Sequence, residues 1–214
     1  MVAGAVALAG MMSGCATMSP EEIRAAYDKE RARLVSLPPA KRVMSPNKAI
    51  SDCAKLSCDL FNVVQPMMKA YVAKVESCRE YTGFMNDIRY YVEEEKLSNK
   101  EACRKVCDAV IAADANRAGG QKIWPKIQKG IVAANELDPK KQLAKIALLV
   151  ARNTEIAKSV ADLPNAFKNE DFMGKAKRGA ECAAISTQLA ETLECLVYLG
   201  DQYSRVVELE TFSR

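Results

Sequence analysis

Apolar residues recur along this chain at the spacing of one helical face, segment after segment. No stretch alternates apolar and polar as a half-buried strand would. The longest stripe follows Ser45-Pro46, a cap residue and then a proline. Steps of seven from Ile50 give Ser57, Val64, Tyr71, Cys78, Met85 and Val92. Steps of seven from Cys53 give Leu60, Met67, Lys74, Tyr81 and Ile88, and Ala54, Phe61, Met68 and Val75 widen the stripe. This pattern predicts a core-facing helix over 45–97. Pro66 removes the hydrogen bond to the Asn62 carbonyl, so a kink or two stacked helices are expected there, with Gly83 a second weak point.

Caps and prolines punctuate the rest. Ser19, Pro20 and Glu22 predict a capping-box start for a helix over 19–35. Its apolar face (Ile23, Tyr27, Leu34) is thin, which places it outside or along the body. Leu37-Pro38-Pro39 end it, and 38–45 reads as a linker. Ser98 with Glu101 opens a helix to about 116, striped by Cys103, Val106, Cys107 and Val110. Trp124, Ile127, Ile131 and Ala134 share a face of a helix over 122–135, with Pro125 tolerated in its first turn. Asp138-Pro139 opens the next, marked by Leu143, Ile146, Val150, Ala157 and Val160 and ended by Leu163-Pro164. A last long helix, capped at Asn169, carries Cys182, Leu189, Leu196 and Tyr203 on one heptad position. Ile185, Leu199 and Val206 occupy the companion position. The expected fold is all-α: an elongated antiparallel bundle of about four long segments plus a short N-terminal helix.

Composition sharpens this picture. Aromatics are 6% of the 214 residues and charged residues 27%, with few Gly and Pro, which favours helix over sheet. The net charge of +4 is interspersed and forms no basic stripe, so no nucleic-acid partner is expected. The chain has no histidine, which excludes Ser-His-Asp and Cys-His nucleophile pairs, histidine zinc sites and histidine-ligated haem. Gly119-Gly120 reads as a turn and not as a phosphate loop. Glu93-Glu94-Glu95 reads as a solvated face, Trp124 as a staple at a helix start, and Lys175-Lys177-Arg178 as a solubilising face. No cofactor and no catalytic activity are expected.

The N-terminus supplies an address. Residues 1–14 carry no charge and are apolar but for Ser13, a run too short to span a bilayer and of the length of a secretory signal core. The run ends in the small residues Ser13 and Gly14, followed by Cys15. Met12-Ser13-Gly14-Cys15 resembles the lipobox of bacterial lipoproteins, with Met12 where Leu is usual and no Lys or Arg before the apolar run. The resemblance implies cleavage before Cys15, a diacylglycerol thioether on its sulfur and an acylated amine. Ala16, where Asp would retain a lipoprotein at the inner membrane, implies the outer membrane of a Gram-negative envelope. The resulting division is a signal over 1–14, a lipidated N-terminus, short helix and linker over 15–44, and a helical bundle over 45–214. The expected partners are the membrane, through the anchor, and an envelope protein. The expected role is non-catalytic binding or scaffolding.

The cysteines are the one unusual chemistry. With Cys15 acylated, Cys53, Cys58, Cys78, Cys103, Cys107, Cys182 and Cys195 remain, an odd number that leaves at least one thiol free or shared between chains. Cys53, Cys78, Cys103, Cys107 and Cys182 fall on the apolar stripes; Cys58 and Cys195 fall on their flanks. Three readings stand: buried thiols as core filler, disulfides between neighbouring helices in an oxidising compartment, or a metal site. For the last, Cys103 and Cys107 lie one helical turn apart on one face, and Met67, Met68 and Met85 share a stripe, a soft donor set that suits Cu(I). The pair resembles the thiol pairs of copper-storage four-helix bundles, which carry several where this chain carries one. A thiol-based Cu(I)-binding bundle is therefore the second expectation.

Overall fold

Helix starts follow the local chemistry. In the computed structural model, which describes residues 19–212, Ser19 Oγ accepts from the Glu22 N–H at 3.3 Å and the Glu22 carboxylate accepts from the Ser19 N–H at 2.7 Å. That closed capping box opens α1 (Pro20–Val35). Asn47 caps α2 (Lys48–Val75). After α3 (Arg79–Glu93), a second capping box between Ser98 and Glu101 opens α4 (Asn99–Ala115). A short 3-10 turn leads to α5 (Trp124–Asn135), with Pro125 in its first turn. Asp138 caps α6 (Pro139–Asp162) from a left-handed backbone conformation, which Asp tolerates better than most residues. A further 3-10 turn, Leu163–Phe167, leads to α7 (Phe172–Leu209). The described residues are helices and connecting turns, with no strand.

The sequence reading differs from the structure at several helix ends and stripes. α2 runs through Pro66 without interruption. Pro66 and Asn62 both face solvent, so water can take the carbonyl that proline leaves unpaired. The break falls instead at 76–78, before α3, where Cys78 provides no side-chain cap; Gly83 lies within α3. α7 is capped by Asp171, not Asn169. On α6 the buried positions are Pro139, Ile146, Asn153, Ile156 and Val160, while Ala157 is exposed. Arg178 is not a solubilising residue. It is buried, paired with Glu181 and Glu170, and donates to Ser45 Oγ at 2.9 Å, while Lys175 and Lys177 remain exposed.

Long-range pairs set the topology. Lys140, at the start of α6, pairs with Glu210 just past the end of α7 at 3.4 Å, so these two helices form an antiparallel hairpin. α2 lies beside α7 and points the same way: Ser45 meets Arg178, Cys58 Sγ donates to Gln188 Oε1 at 3.9 Å, and Tyr71 donates to Gln202 at 3.0 Å. These three long helices make a stem; α7 alone, at 38 residues, is about 57 Å long. α3, α4 and α5 close one end of it. There Trp124 packs edge-on to Phe84 at 6.0 Å, and Gly130 of α5 lies so close to the Tyr81 side chain of α3 that a Cβ would not fit. Asp114, buried at the end of α4, accepts from the Ile123 N–H at 2.8 Å and the Trp124 N–H at 2.6 Å, and so caps α5 from a different helix.

The core is mostly aliphatic with a polar seam. Leu196, Leu199 and Val206 of α7 and Phe61, Val64 and Met68 of α2 are fully buried in one core. Within it Tyr71, Tyr81 and Gln202 form a hydrogen-bonded chain. Arg205 is 1% exposed, has one carboxylate, Asp201, at 3.9 Å, and leaves Nε and Nη1 without a hydrogen-bond partner.

Candidate functional site

The N-terminal helix lies along the body, held by a largely ionic seam. Arg24 pairs with Asp87 at 2.5 Å, Glu30 with Arg89 at 2.6 Å and Arg33 with Glu194 at 2.5 Å. Asn86 donates to Asp28 at 3.1 Å, and Arg31 to Thr82 at 3.1 Å. Only Tyr27 and Leu34 of α1 are buried. Polar side chains are long, so α1 is held at a distance from α7 where they span the gap. The result is a groove of about 660 Å³ between α1 and α7, closed on one side by Arg89 and Glu93 of α3.

The groove has an apolar floor and a charged rim. Ala26, Ala190, Leu193 and Val197 form the floor, and Val197 is 48% exposed although it is a large apolar residue. Lys29, Glu30, Arg33, Glu194 and Asp201 form the rim. Arg89 sits where they converge, bonded to Glu30 and Glu93 and stacked 4.1 Å over the Tyr27 ring. Burial works against its charge, but Glu30 and Glu93 outweigh it and hold the guanidinium above its usual pKa. Burial pushes the Asp201 carboxyl up, and Arg205 and Arg89 pull against it, leaving it above the ordinary aspartate value. A groove with an apolar strip between fixed charges of both signs suits an amphipathic segment.

The sequence did not single out this site. Its one signal was Val197, an apolar residue off the heptad stripes of α7. The acidic and basic residues of α1 read as an ordinary solvated face. Their partners lie 51 to 161 positions away, beyond any local pattern.

The described cysteines lie on α2, α4 and α7 and at the α2–α3 junction. Cys15 and the signal over 1–14 lie outside the described residues. Cys103 and Cys107 face the core from α4, fully buried, and burial pushes both thiols up to about 12. Cys58 and Cys195, expected on the flanks, are buried as well. Cys195 faces α1, and burial raises its thiol to about 11. Cys78 sits half-buried at the α2–α3 junction, its sulfur 3.8 Å from Ser77 Oγ. Cys53 and Cys182 are brought together across the α2–α7 interface, close enough for the first to oppose ionisation of the second. All seven are free thiols in this structure.

Among the described residues no three His, Cys, Asp or Glu side chains gather as a metal site, and no helix is long and apolar enough to cross a membrane. No family model, curated protein or solved structure matches the chain.

Proposed function

We propose that this protein is a lipid-anchored envelope protein, acylated at Cys15, whose helical bundle binds an amphipathic segment of an envelope partner without catalysing a reaction. The groove between α1 and α7 is the observation that carries the binding role. Its apolar floor is open to solvent, and its rim carries Lys29, Glu30 and Arg33 on the α1 side and the anions Glu194 and Asp201 on the α7 side. The lipobox-like Met12-Ser13-Gly14-Cys15 supports the anchor. Cys15 lies four residues before Ser19, so a lipid there holds the start of α1, and with it the end closed by α3–α5, within roughly 15 Å of the bilayer surface. Two or three acyl chains suffice for stable attachment.

A second reading, a Cu(I)-binding bundle, rests on Cys103 and Cys107 lying one turn apart on one face of α4. Against it, no third His, Cys, Asp or Glu side chain gathers with this pair among the described residues.

A photo-crosslinking side chain at Val197 tests the groove, with the same group at Leu148, an exposed apolar position on α6, as control. The expected result is a crosslink from position 197 to an amphipathic segment of a membrane-fraction protein, absent from position 148 and lost when Leu193 is replaced by Glu. Equal crosslinking from both positions, or no dependence on Leu193, overturns the reading.

A further inference from the structure

The parallel packing of α2 on α7 fixes which cysteines can meet. Ser45 and Arg178 are paired at a separation of 133 positions, Tyr71 and Gln202 at 131, and Cys58 and Gln188 at 130. Cys182 follows Cys53 by 129 positions, in the stretch where the separation is close to 130. Both belong to the seam between the helices: Cys53 is buried and Cys182 half-buried against the same core.

The other cysteines have no such partner. Cys103 and Cys107 are four apart on one helix, where Cβ atoms stand about 5–6 Å apart, beyond the roughly 3.5–4.5 Å that a disulfide needs. Cys58 is taken up against Gln188, and Cys195, seven residues further along α7, lies about 10 Å beyond that contact and faces Arg33 of α1. Cys78 lies at the opposite end of α2 from Cys53.

We infer that Cys53 and Cys182 are a disulfide-forming pair that joins α2 to α7 when the protein meets a disulfide donor. Cys182, the more exposed of the two, reacts first. Its thiolate attacks one sulfur of the donor, the donor S–S bond breaks, and one donor thiolate leaves. The Cys53 thiolate then attacks Cys182 Sγ in the mixed disulfide and displaces the second donor thiolate. The two protons pass to the two departing thiols, so the protein loses two hydrogens and the donor is reduced. Burial raises both thiols, which makes exchange slow at neutral pH and faster as pH rises. The remaining five described cysteines stay reduced. This pairing is independent of the membrane reading and is tested on purified protein.

The test is oxidation of the purified full chain with oxidised glutathione, followed by alkylation of free thiols and peptide mass mapping. The expected result is one linked pair of peptides, containing Cys53 and Cys182, lighter by two hydrogens, with an upward shift in Tm that reductant reverses. In the Cys182→Ala chain the link and the shift both disappear, while helical content and reduced-state Tm stay near those of the parent. Alkylation of both cysteines after oxidation, a stable glutathione adduct on Cys182, or a link from either residue to a different cysteine each overturns the inference.

Discussion

A carboxylate buried at the end of one helix is an expensive way to start another unless it is fully bonded, and Asp114 is fully bonded. Burial pushes its carboxyl up, but the N–H groups of Ile123 and Trp124 and the Arg117 guanidinium outweigh that and hold it below the ordinary aspartate value. A depressed folded-state pKa means stability that is present above the unfolded value of about 3.9 and lost as pH falls through the lower folded value. Asp114→Asn is therefore expected to lower Tm by a few degrees at neutral pH, because an amide cannot accept with both atoms. The gap from the parent should close as both are titrated below pH ~4. Thermal unfolding followed by circular dichroism across that range checks it; a gap that persists in acid contradicts the assignment. Nothing in the sequence around Asp114 marks it as a cap for α5, because its recipients lie nine and ten positions on, past a turn. The cysteines show the opposite case. Their stripe positions told correctly that Cys53, Cys103 and Cys107 are core residues, and missed Cys58 and Cys195, because the buried faces of α2 and α7 are wider than the heptad stripes: Cys58 lies between buried Ala54 and Phe61, and Cys195 between buried Thr192 and Leu199.

Among the elements, the two capping boxes are the most legible features of this chain, since each is settled within four residues, whereas the caps of α2 and α7 fall at Asn47 and Asp171 instead of Ser45 and Asn169. Both capping boxes and the prolines at 20, 125 and 139 stand where the sequence puts them. Breaks without a local signal are not legible, as the 76–78 junction shows against the ineffective Pro66. α1 is the element with the least apolar support, and Arg89 is the centre of what holds it: 14% exposed, it joins Glu30 and Glu93 and covers Tyr27. Arg89→Ala leaves Glu30 and Glu93 without their cation and is expected to cost about 1–3 kcal/mol. The loss should be local. Amides of residues 20–35 are expected to exchange with solvent markedly faster in the variant, while those of α6 hold their parent rates. Uniform acceleration across all helices would mean that α1 is part of the same cooperative unit as the stem, and that the groove has no separately mobile wall.

For the whole molecule, the all-α class and the long hairpin of α6 and α7 follow from periodicity and short connections. The parallel course of α2 and α7 does not. It is fixed by pairs about 130 positions apart, and by the linker over 38–47, which has to return along the stem from Leu37, where Gln65 donates to its carbonyl, to Ser45 beside Arg178. The same arrangement creates the groove, because α1 must lie back along α7, and the facing pair Cys53 and Cys182. It also places the start of α1 and the end of α7 at the same end of the stem, the end an anchor at Cys15 would hold at a membrane. The most direct measurement is the intact mass of the protein extracted with detergent from its native membranes. The expected result is a chain that starts at Cys15 and carries the added mass of a diacylglyceryl group and an amide-linked acyl chain, released from the membrane by detergent and not by high salt. A chain that retains residues 1–14, or starts at Cys15 without acyl mass, or partitions wholly with the soluble fraction, would contradict it.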